Sequence, residues 1–275
     1  MIRTLSRLLR PLLALMNGVT AVAGYCLFPE PARLMPLLAL LCGVTLLAMG
    51  GSAFNQLLER DSDALMTRTM LRPLPQGRLS VAIVTVVGVC AIMPGLALLA
   101  IPGALLPPLL GGSGLIWYLA VYTPLKRRTT LALLLGALCG AFPPLIGWCL
   151  AGGAPSDYRI ILLAGLLFIW QIPHFWLLRE RHEADYRRAG IPRVDCRATL
   201  SGRASLMLVW MTALTAATLL LPALGGIERR MTPWLLVIAL IPFMVATLRS
   251  ERLLFPVFTL FPLALTGLLV LQKMI

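Results

Sequence analysis

At 275 residues, 59% hydrophobic and 13% charged, with a mean hydropathy of +0.88, the chain is too apolar for a water-soluble domain of its size. Its length leaves no room for a separate soluble domain, and no Ser/Gly linker or low-complexity tract divides it, so a single domain over 1–275 is expected. The net charge of +13 would suit a nucleic-acid binder, but its distribution argues against that class.

Hydropathy predicts an all-α, polytopic membrane bundle of about nine spans, at 11–28, 36–58, 80–100, 103–122, 131–151, 160–179, 205–222, 232–248 and 253–271. Of the 24 lysines and arginines, all except Arg33, Arg159, Arg229, Arg230 and Lys273 then fall on one side. The positive-inside rule makes that side cytoplasmic, with the N-terminus and the polar loops, in what is expected to be a bacterial inner membrane. The basic excess thus serves topology and contact with anionic lipids, with a share left for an anionic substrate. The six cysteines, Cys26, Cys42, Cys90, Cys139, Cys149 and Cys196, show no CxxC spacing and read as small packing residues.

Arg3, Arg7 and Arg10, followed by an apolar run and Ala21-Val22-Ala23, imitate a secretory signal with its cleavage site. Asn17 inside that run points instead to a retained first helix with a site-lining polar residue. This helix opens on Arg10-Pro11, proline being tolerated at a first helical turn.

The second span runs directly into Asn55 to Arg78, NQLLERDSDALMTRTMLRPLPQGR. If the helix continues, Asn55, Glu59 and Asp63 fall at i, i+4 and i+8 on one face. Acids this close, where a helix leaves the bilayer, ask for a cation, and a hard divalent ion such as Mg²⁺ suits oxygen donors and phosphate together. Arg60, Arg68, Arg72 and Arg78 add guanidinium forks that match phosphate oxygens. Acids for metal beside arginines for phosphate point to a diphosphate site; a solvated loop obeying the positive-inside rule is the competing reading. Two prolines and a glycine in Arg72-Pro73-Leu74-Pro75-Gln76-Gly77 break the helix and predict a hinge or lid.

The fourth span ends in a basic corner, Tyr122-Thr123-Pro124-Leu125-Lys126-Arg127-Arg128-Thr129. In the fifth, Gly136 and Gly140 match a small-xxx-small packing pattern, and Pro143-Pro144 is expected to bend the helix. In the sixth, Trp170-Gln171-Ile172-Pro173-His174-Phe175-Trp176 places Gln171 and His174 one turn apart beside a proline that frees a carbonyl. His174 has two readings, a packing hydrogen bond or a functional group. A second mixed cluster runs from Arg179 to Pro192, where Arg181–Asp185 (i, i+4) and Glu180–Glu183 (i, i+3) spacings leave open that its charge is self-paired on a solvated helix. Each cluster precedes a Gly/Pro break, which hints at two similar halves facing one another.

These motifs resemble the UbiA superfamily of membrane prenyltransferases, and within it the haem-prenylating branch. The similarity runs from about Arg10 to Pro192 and is strongest at Asn55 to Arg78, Tyr122 to Thr129, Gly140 to Trp148, and Trp170 to Phe175 with Asp185-Tyr186 and Ala189 to Pro192. The resemblance implies that Asn55, Asp61 and Asp63 form a first acidic motif holding diphosphate through Mg²⁺, with Arg68 and Arg72 following it. Lys126 and Arg127 match a basic corner near the phosphates, Asp185 the acid of a second motif next to Tyr186, and His174 a histidine near the porphyrin. The expected catalytic set is therefore Asp61, Asp63, Asp185, Arg68 and Lys126. The substrate-binding set is Asn55, Arg72, Arg127, His174 and Tyr186, and the metal ligands are Asn55, Glu59, Asp63 and Asp185. Glu59 stands where the family has aspartate, Ala132 where asparagine is common, Ala184 where an acid is expected and Arg193 where methionine is usual.

The implied reaction is farnesyl transfer from farnesyl diphosphate to a vinyl group of haem b, giving haem O, with Mg²⁺ as cofactor and membrane lipids, not nucleic acid, as surroundings. A second enzymatic reading keeps the donor and takes an aromatic or quinone precursor, towards which Arg193 leans. Outside enzymes, a transporter or haem-handling membrane protein would use the broken helices and paired clusters as gates.

Overall fold

The computed structural model describes residues 1–101, 103–192, 200–247 and 251–274, and among these the backbone is helical or in turns and contains no strand. Readings that involve Arg193, Cys196, Arg197 and Arg249 lie outside the described residues.

Ile2–Leu9 (α1) and Pro11–Leu27 (α2) form a pair bent by 44°. The bend follows from Pro11, which has no amide proton and disfavours right-handed helical geometry at the residue before it. Arg10 accordingly takes φ 49°, and it is the only non-glycine residue with positive φ among those described. Such a conformation costs an L-residue about 1–2 kcal/mol. The carbonyls orphaned by the bend are claimed by the next helix, Leu34–Leu58 (α3): Gln56 Nε2 donates to Arg7 O at 3.1 Å and to Leu8 O at 2.7 Å, and Ser52 Oγ to Leu8 O at 3.0 Å. Asn17, expected to line a site, instead donates to Leu13 O of its own helix at 2.9 Å.

After α3 come the short Arg60–Leu65 (α4), then Val81–Ala100 (α5) and Leu106–Ile116 (α6). A π turn over Trp117–Tyr122 leads from α6 into Thr123–Leu125 (α7). Ala132–Ala137 (α8) and Phe142–Leu150 (α9) flank a tight turn at Leu138–Gly140, with Pro143 and Pro144 in the first turn of α9, where proline is tolerated. Tyr158–Arg181 (α10), Glu183–Arg188 (α11), Leu200–Ala223 (α12), Thr232–Thr247 (α13) and Glu251–Met274 (α14) complete the bundle. Among the described residues, six helical stretches are long and apolar enough to cross a membrane, and the bent α1–α2 pair makes a seventh. The expected nine is therefore approximate: the spans foreseen at 103–122 and 232–248 are α6 with its π continuation and the 16-residue α13.

In a bilayer, close helix contact rests on shape, since lipid is as apolar as leucine. On α2 and α9, a methyl group added to Gly24 or Gly147 would collide with the carbonyls of Pro144 and Ala21. Gly43 of α3 and Gly95 of α5 face each other less tightly, a methyl group on either standing 3.0 or 2.9 Å from the other's carbonyl oxygen. Gly136 and Gly140 do something other than bring helix backbones together: they make room for the Tyr122 ring and the Gln171 amide. Leu12, Leu109, Ile116, Val209, Trp234 and Leu260 face outwards, as lipid-facing side chains should.

Charge is segregated by end. Lys273 donates to Glu30 O at 2.9 Å, Gln272 accepts from Glu228 N at 3.1 Å, and Arg159 pairs with Asp157 at 2.7 Å at the sparsely charged end. Asn55 to Arg78, Lys126 and Arg179 to Arg188 meet at the other.

Candidate active site

Although α3 ends at Leu58, the backbone ladder crosses the break. Glu59 N donates to Asn55 O at 2.9 Å and Asp63 N to Glu59 O at 2.8 Å, so Asn55, Glu59 and Asp63 do stand one turn above another. All three are buried, with Asp63 1% exposed and the others 4%. Asn55 Nδ2 donates to Thr123 Oγ1 at 3.1 Å, and Thr123 in turn donates to Tyr118 O, a carbonyl of the π turn, at 2.8 Å. Glu59 is ion-paired with Lys126, and Asp63 with Arg72. Burial pushes the Asp63 carboxyl above its ordinary value, with Arg72 pulling the other way. Burial likewise pulls the Lys126 ammonium below its ordinary value, against the attraction of Glu59. Each pair thus sets an opposite charge beside a group, Asp63 or Lys126, whose burial disfavours its own charge.

Asp185, on α11, closes a second cluster. Its Oδ1 accepts from Thr67 N and its Oδ2 from Arg68 N, both at 3.1 Å, and the Thr67 hydroxyl and Arg188 also reach Oδ1. Burial disfavours this charge, but the bonds from Thr67, Arg68 and Arg188 outweigh it and hold the carboxyl well below the usual carboxylate range. The expected partner Arg181 lies elsewhere, 5.3 Å over the Phe255 ring. The self-paired reading of this cluster therefore holds only in part for Asp185: Arg188 of the same helix pairs with it, but its other partners, Thr67 and Arg68, come from the other cluster.

Residues 66–78 are accordingly a strap between the two acids. Arg72 holds Asp63, Thr69 Oγ1 donates to Asp63 O at 3.0 Å, and Thr67 and Arg68 hold Asp185. Leu74 packs with Leu8, Ala53 and Val84 beneath it. The two clusters foreseen as facing halves are in direct contact.

The remaining expected residues divide. Arg72 and Lys126 join the buried acids, whereas Arg68 is exposed and gives the cluster its amide. Arg127 points away and caps α3, donating to Leu58 O at 2.8 Å. The Asp61 side chain is 86% exposed and meets only Arg60, at 3.4 Å. Tyr186 lies under the Arg179 guanidinium at 5.9 Å. His174 is stacked between Trp170 and Phe255, with ring centroids 5.0 and 5.2 Å away. Its Nδ1, Gln171 Oε1 and Arg179 Nη1 are buried polar atoms without a hydrogen-bond partner, all on α10. Unmade bonds of this kind cost about 1–3 kcal/mol each and mark places where a ligand can supply the partner.

Four participants escaped the sequence reading. Arg10 interacts electrostatically with Asp63, Arg68, Arg72 and Tyr118, although it read as topology charge. Tyr118 and Tyr122 stack at 6.0 Å and both feel Glu59, while Lys126 lies 5.9 Å over the Tyr122 ring. Arg179 is 9% exposed at the end of a span, a burial that its place at the head of a charged loop concealed.

Asn55, Glu59 and Asp63 are oxygen donors of the kind Mg²⁺ prefers. Among the described residues, however, no three His, Cys, Asp or Glu side chains stand close enough together to enclose an ion, so Asp185 is not part of one cluster with Glu59 and Asp63. An ion held by few protein ligands keeps places for phosphate oxygens and water, which is how Mg²⁺ is commonly bound beside a phosphorylated substrate. The donor set therefore fits.

Residues 17–267 match the UbiA prenyltransferase family. The chain is 54% identical over 255 residues to protoheme IX farnesyltransferase of Geobacter sulfurreducens, covering 93% of this chain and 94% of that protein. It is 39% identical over 210 residues to the protein of the same name from Nitratidesulfovibrio vulgaris strain DP4, covering 75% and 73%. Its fold is similar to that of a UbiA homolog from Aeropyrum pernix K1, with TM-score 0.79, 20% identity and coverage of 96% and 99%. A UbiA homolog from Archaeoglobus fulgidus, solved with GPP and Mg²⁺, gives TM-score 0.73 and 16% identity over 99% and 100% of the chains. With its helical bundle, its paired acidic clusters and these relatives, the chain belongs to the UbiA prenyltransferase family.

Proposed function

We propose that this prenyltransferase joins farnesyl diphosphate to a vinyl group of haem b, with water completing the hydroxyethylfarnesyl group and pyrophosphate leaving, so that haem O is formed. The observation that carries the reading is the buried pairing of Lys126 with Glu59 and Arg72 with Asp63 one turn apart. Two cations are held ready by two acids, and an arriving diphosphate would take the cations over. Glu59, Asp63 and the Asn55 carbonyl oxygen are then left to hold Mg²⁺, which when bound neutralises charge on the leaving diphosphate. Freed from the carboxylates, Lys126 and Arg72 place positive charge where negative charge builds on the leaving oxygens, in a site with little water to screen it. The Tyr118 and Tyr122 rings stand beside this group and offer electron-rich faces to a developing allylic cation.

The acceptor side rests on α10. Gln171, His174 and Arg179 carry the unpartnered polar atoms, and the aromatic stack around His174 offers the flat apolar surface that a porphyrin needs. The similarity to proteins named protoheme IX farnesyltransferase supports haem as acceptor. The active-site end is assigned to the cytoplasmic side of the bacterial inner membrane on its arginine excess.

The test is incubation of purified protein with isotopically labelled farnesyl diphosphate and haem b, with Mg²⁺ or with a chelator, followed by mass spectrometry of the extracted haem. Haem O formed only with Mg²⁺ is expected. Prenyl transfer to an aromatic acceptor without haem O would overturn the acceptor assignment, and absence of any prenylated product would return the chain to the transporter reading.

A further inference from the structure

A recess of about 160 Å³ opens beside the strap, lined by Arg3, Thr4, Arg7, Leu71, Pro73 and Arg78. None of the residues proposed above to act on substrate lies in it. Arg3 and Arg7 are one turn apart on the same face of α1, and Arg78 closes the recess from the far end of the strap. Arg7 Nη1 donates to Leu71 O at 3.4 Å, so the recess spans the seam between α1 and the strap. Among the described residues, none of the three guanidinium groups is paired with a carboxylate. Three unpaired guanidinium groups around one small volume repel one another, and an anion relieves that repulsion. The fork geometry suits phosphate oxygens.

The rim decides what carries the phosphate. Leu71 in its lining is exposed, and so are Met1, Ile2 and Met70, the apolar neighbours in sequence of the lining residues Arg3 and Leu71. An apolar rim about a basic centre, on a short helix bent across the end of a membrane bundle, is the pattern of a segment lying in the headgroup layer. We infer that the recess binds the phosphate headgroup of an anionic phospholipid and through it pins α1 to the strap that carries Arg68 and Arg72. A free phosphate would use the guanidinium groups and leave the apolar rim in water.

The full chain is reconstituted in nanodiscs of phosphatidylcholine alone or mixed with phosphatidylglycerol, released, and examined by native mass spectrometry. Wild type is expected to retain phosphatidylglycerol in preference to phosphatidylcholine. The double variant Arg3→Gln/Arg78→Gln is expected to lose retention by roughly fivefold per arginine removed. Arg128→Gln, an exposed arginine on the same side, is expected to behave as wild type. Equal retention of both lipids by wild type, or of phosphatidylglycerol by wild type and double variant, overturns the site. Displacement of the bound lipid by inorganic phosphate at matched concentration overturns the lipid as occupant. Unfolding in phosphatidylcholine discs checks that the double variant is folded; should it not be, Arg78→Lys takes its place, with reduced retention expected and unchanged retention counting against the site. The readout is lipid binding, so it stands or falls apart from the prenyl-transfer reading.

Discussion

The Arg68 amide and the Asp185 carboxylate meet at 3.1 Å across 117 residues of sequence. This bond joins the two acidic clusters, and it uses the backbone of a residue whose side chain is exposed. Asp185→Ala is therefore expected to free the strap without unfolding the bundle, because it strips two amides and a hydroxyl of their acceptor at about 1–3 kcal/mol for each buried group left unsatisfied. Trypsin cleavage after Arg68 should accelerate, and KM for farnesyl diphosphate should rise. Unchanged cleavage would remove the strap from the account.

The same carboxylate sets a pH window. Its folded-state value lies well below the usual range, so its contribution is complete above an unfolded value of about 3.9 and fades as pH falls from there towards the folded value. Strap protection from proteolysis should be flat from neutral pH to about pH 5 and weaken only in stronger acid. Loss near pH 6 would mean that another group holds the strap.

Lys126 and Glu59 allow a test that separates folding from chemistry. Lys126→Met leaves a buried carboxylate unpaired, and removal of one partner of such a pair costs about 3–5 kcal/mol. Adding Glu59→Gln should restore much of the melting temperature and none of the activity. Recovery of turnover together with stability would make the pair purely structural.

Asp61 and Asp63 are two residues apart and should differ sharply. Asp61→Asn, at an exposed carboxylate, is expected to leave kcat/KM within about twofold. Asp63→Asn, at a buried carboxylate facing Arg72, should lower it by about a hundredfold or more, the scale of losing one electrostatic contact to the reacting group. Parallel losses in purified variants would place Asp61 in the site despite its exposure.

His174 sits in an aromatic stack, so His174→Phe preserves the packing that His174→Ala destroys. The phenylalanine variant should keep its melting temperature and its affinity for farnesyl diphosphate while haem titration weakens. An unchanged haem titration would return this histidine to packing.

The acid ladder was legible because a spacing of four is a property of helix backbone, and the hydrogen bonds from Asn55 to Glu59 to Asp63 carry it through the cap at Glu59. The same arithmetic turns Asp61 about 200° from Asp63 on a helix, so the motif letters supplied its identity and the period its direction. The partners of Asp185 were only partly legible. A local spacing rule pointed to Arg181, whereas the local partner is Arg188 and the remaining bonds come from Thr67 and Arg68, which only the tertiary fold brings near. The π turn at Trp117–Tyr122 has no sequence signature, and it was Tyr118 and Tyr122 that went unplaced. Arg10 was hidden differently: a positive φ beside proline is foreseeable, but which way it sends the side chain is not.

One consequence concerns the order of manufacture. α14 packs against α2, and its Lys273 reaches the carbonyl of Glu30 just beyond that helix. Every residue placed around the acids leaves the ribosome before α14 does, yet Phe255 of the His174 stack and the wall that backs α2 arrive only with α14. Until then α2 waits in the bilayer with that flank against lipid, so one of the bundle's walls is a late clasp between helices far apart in the chain.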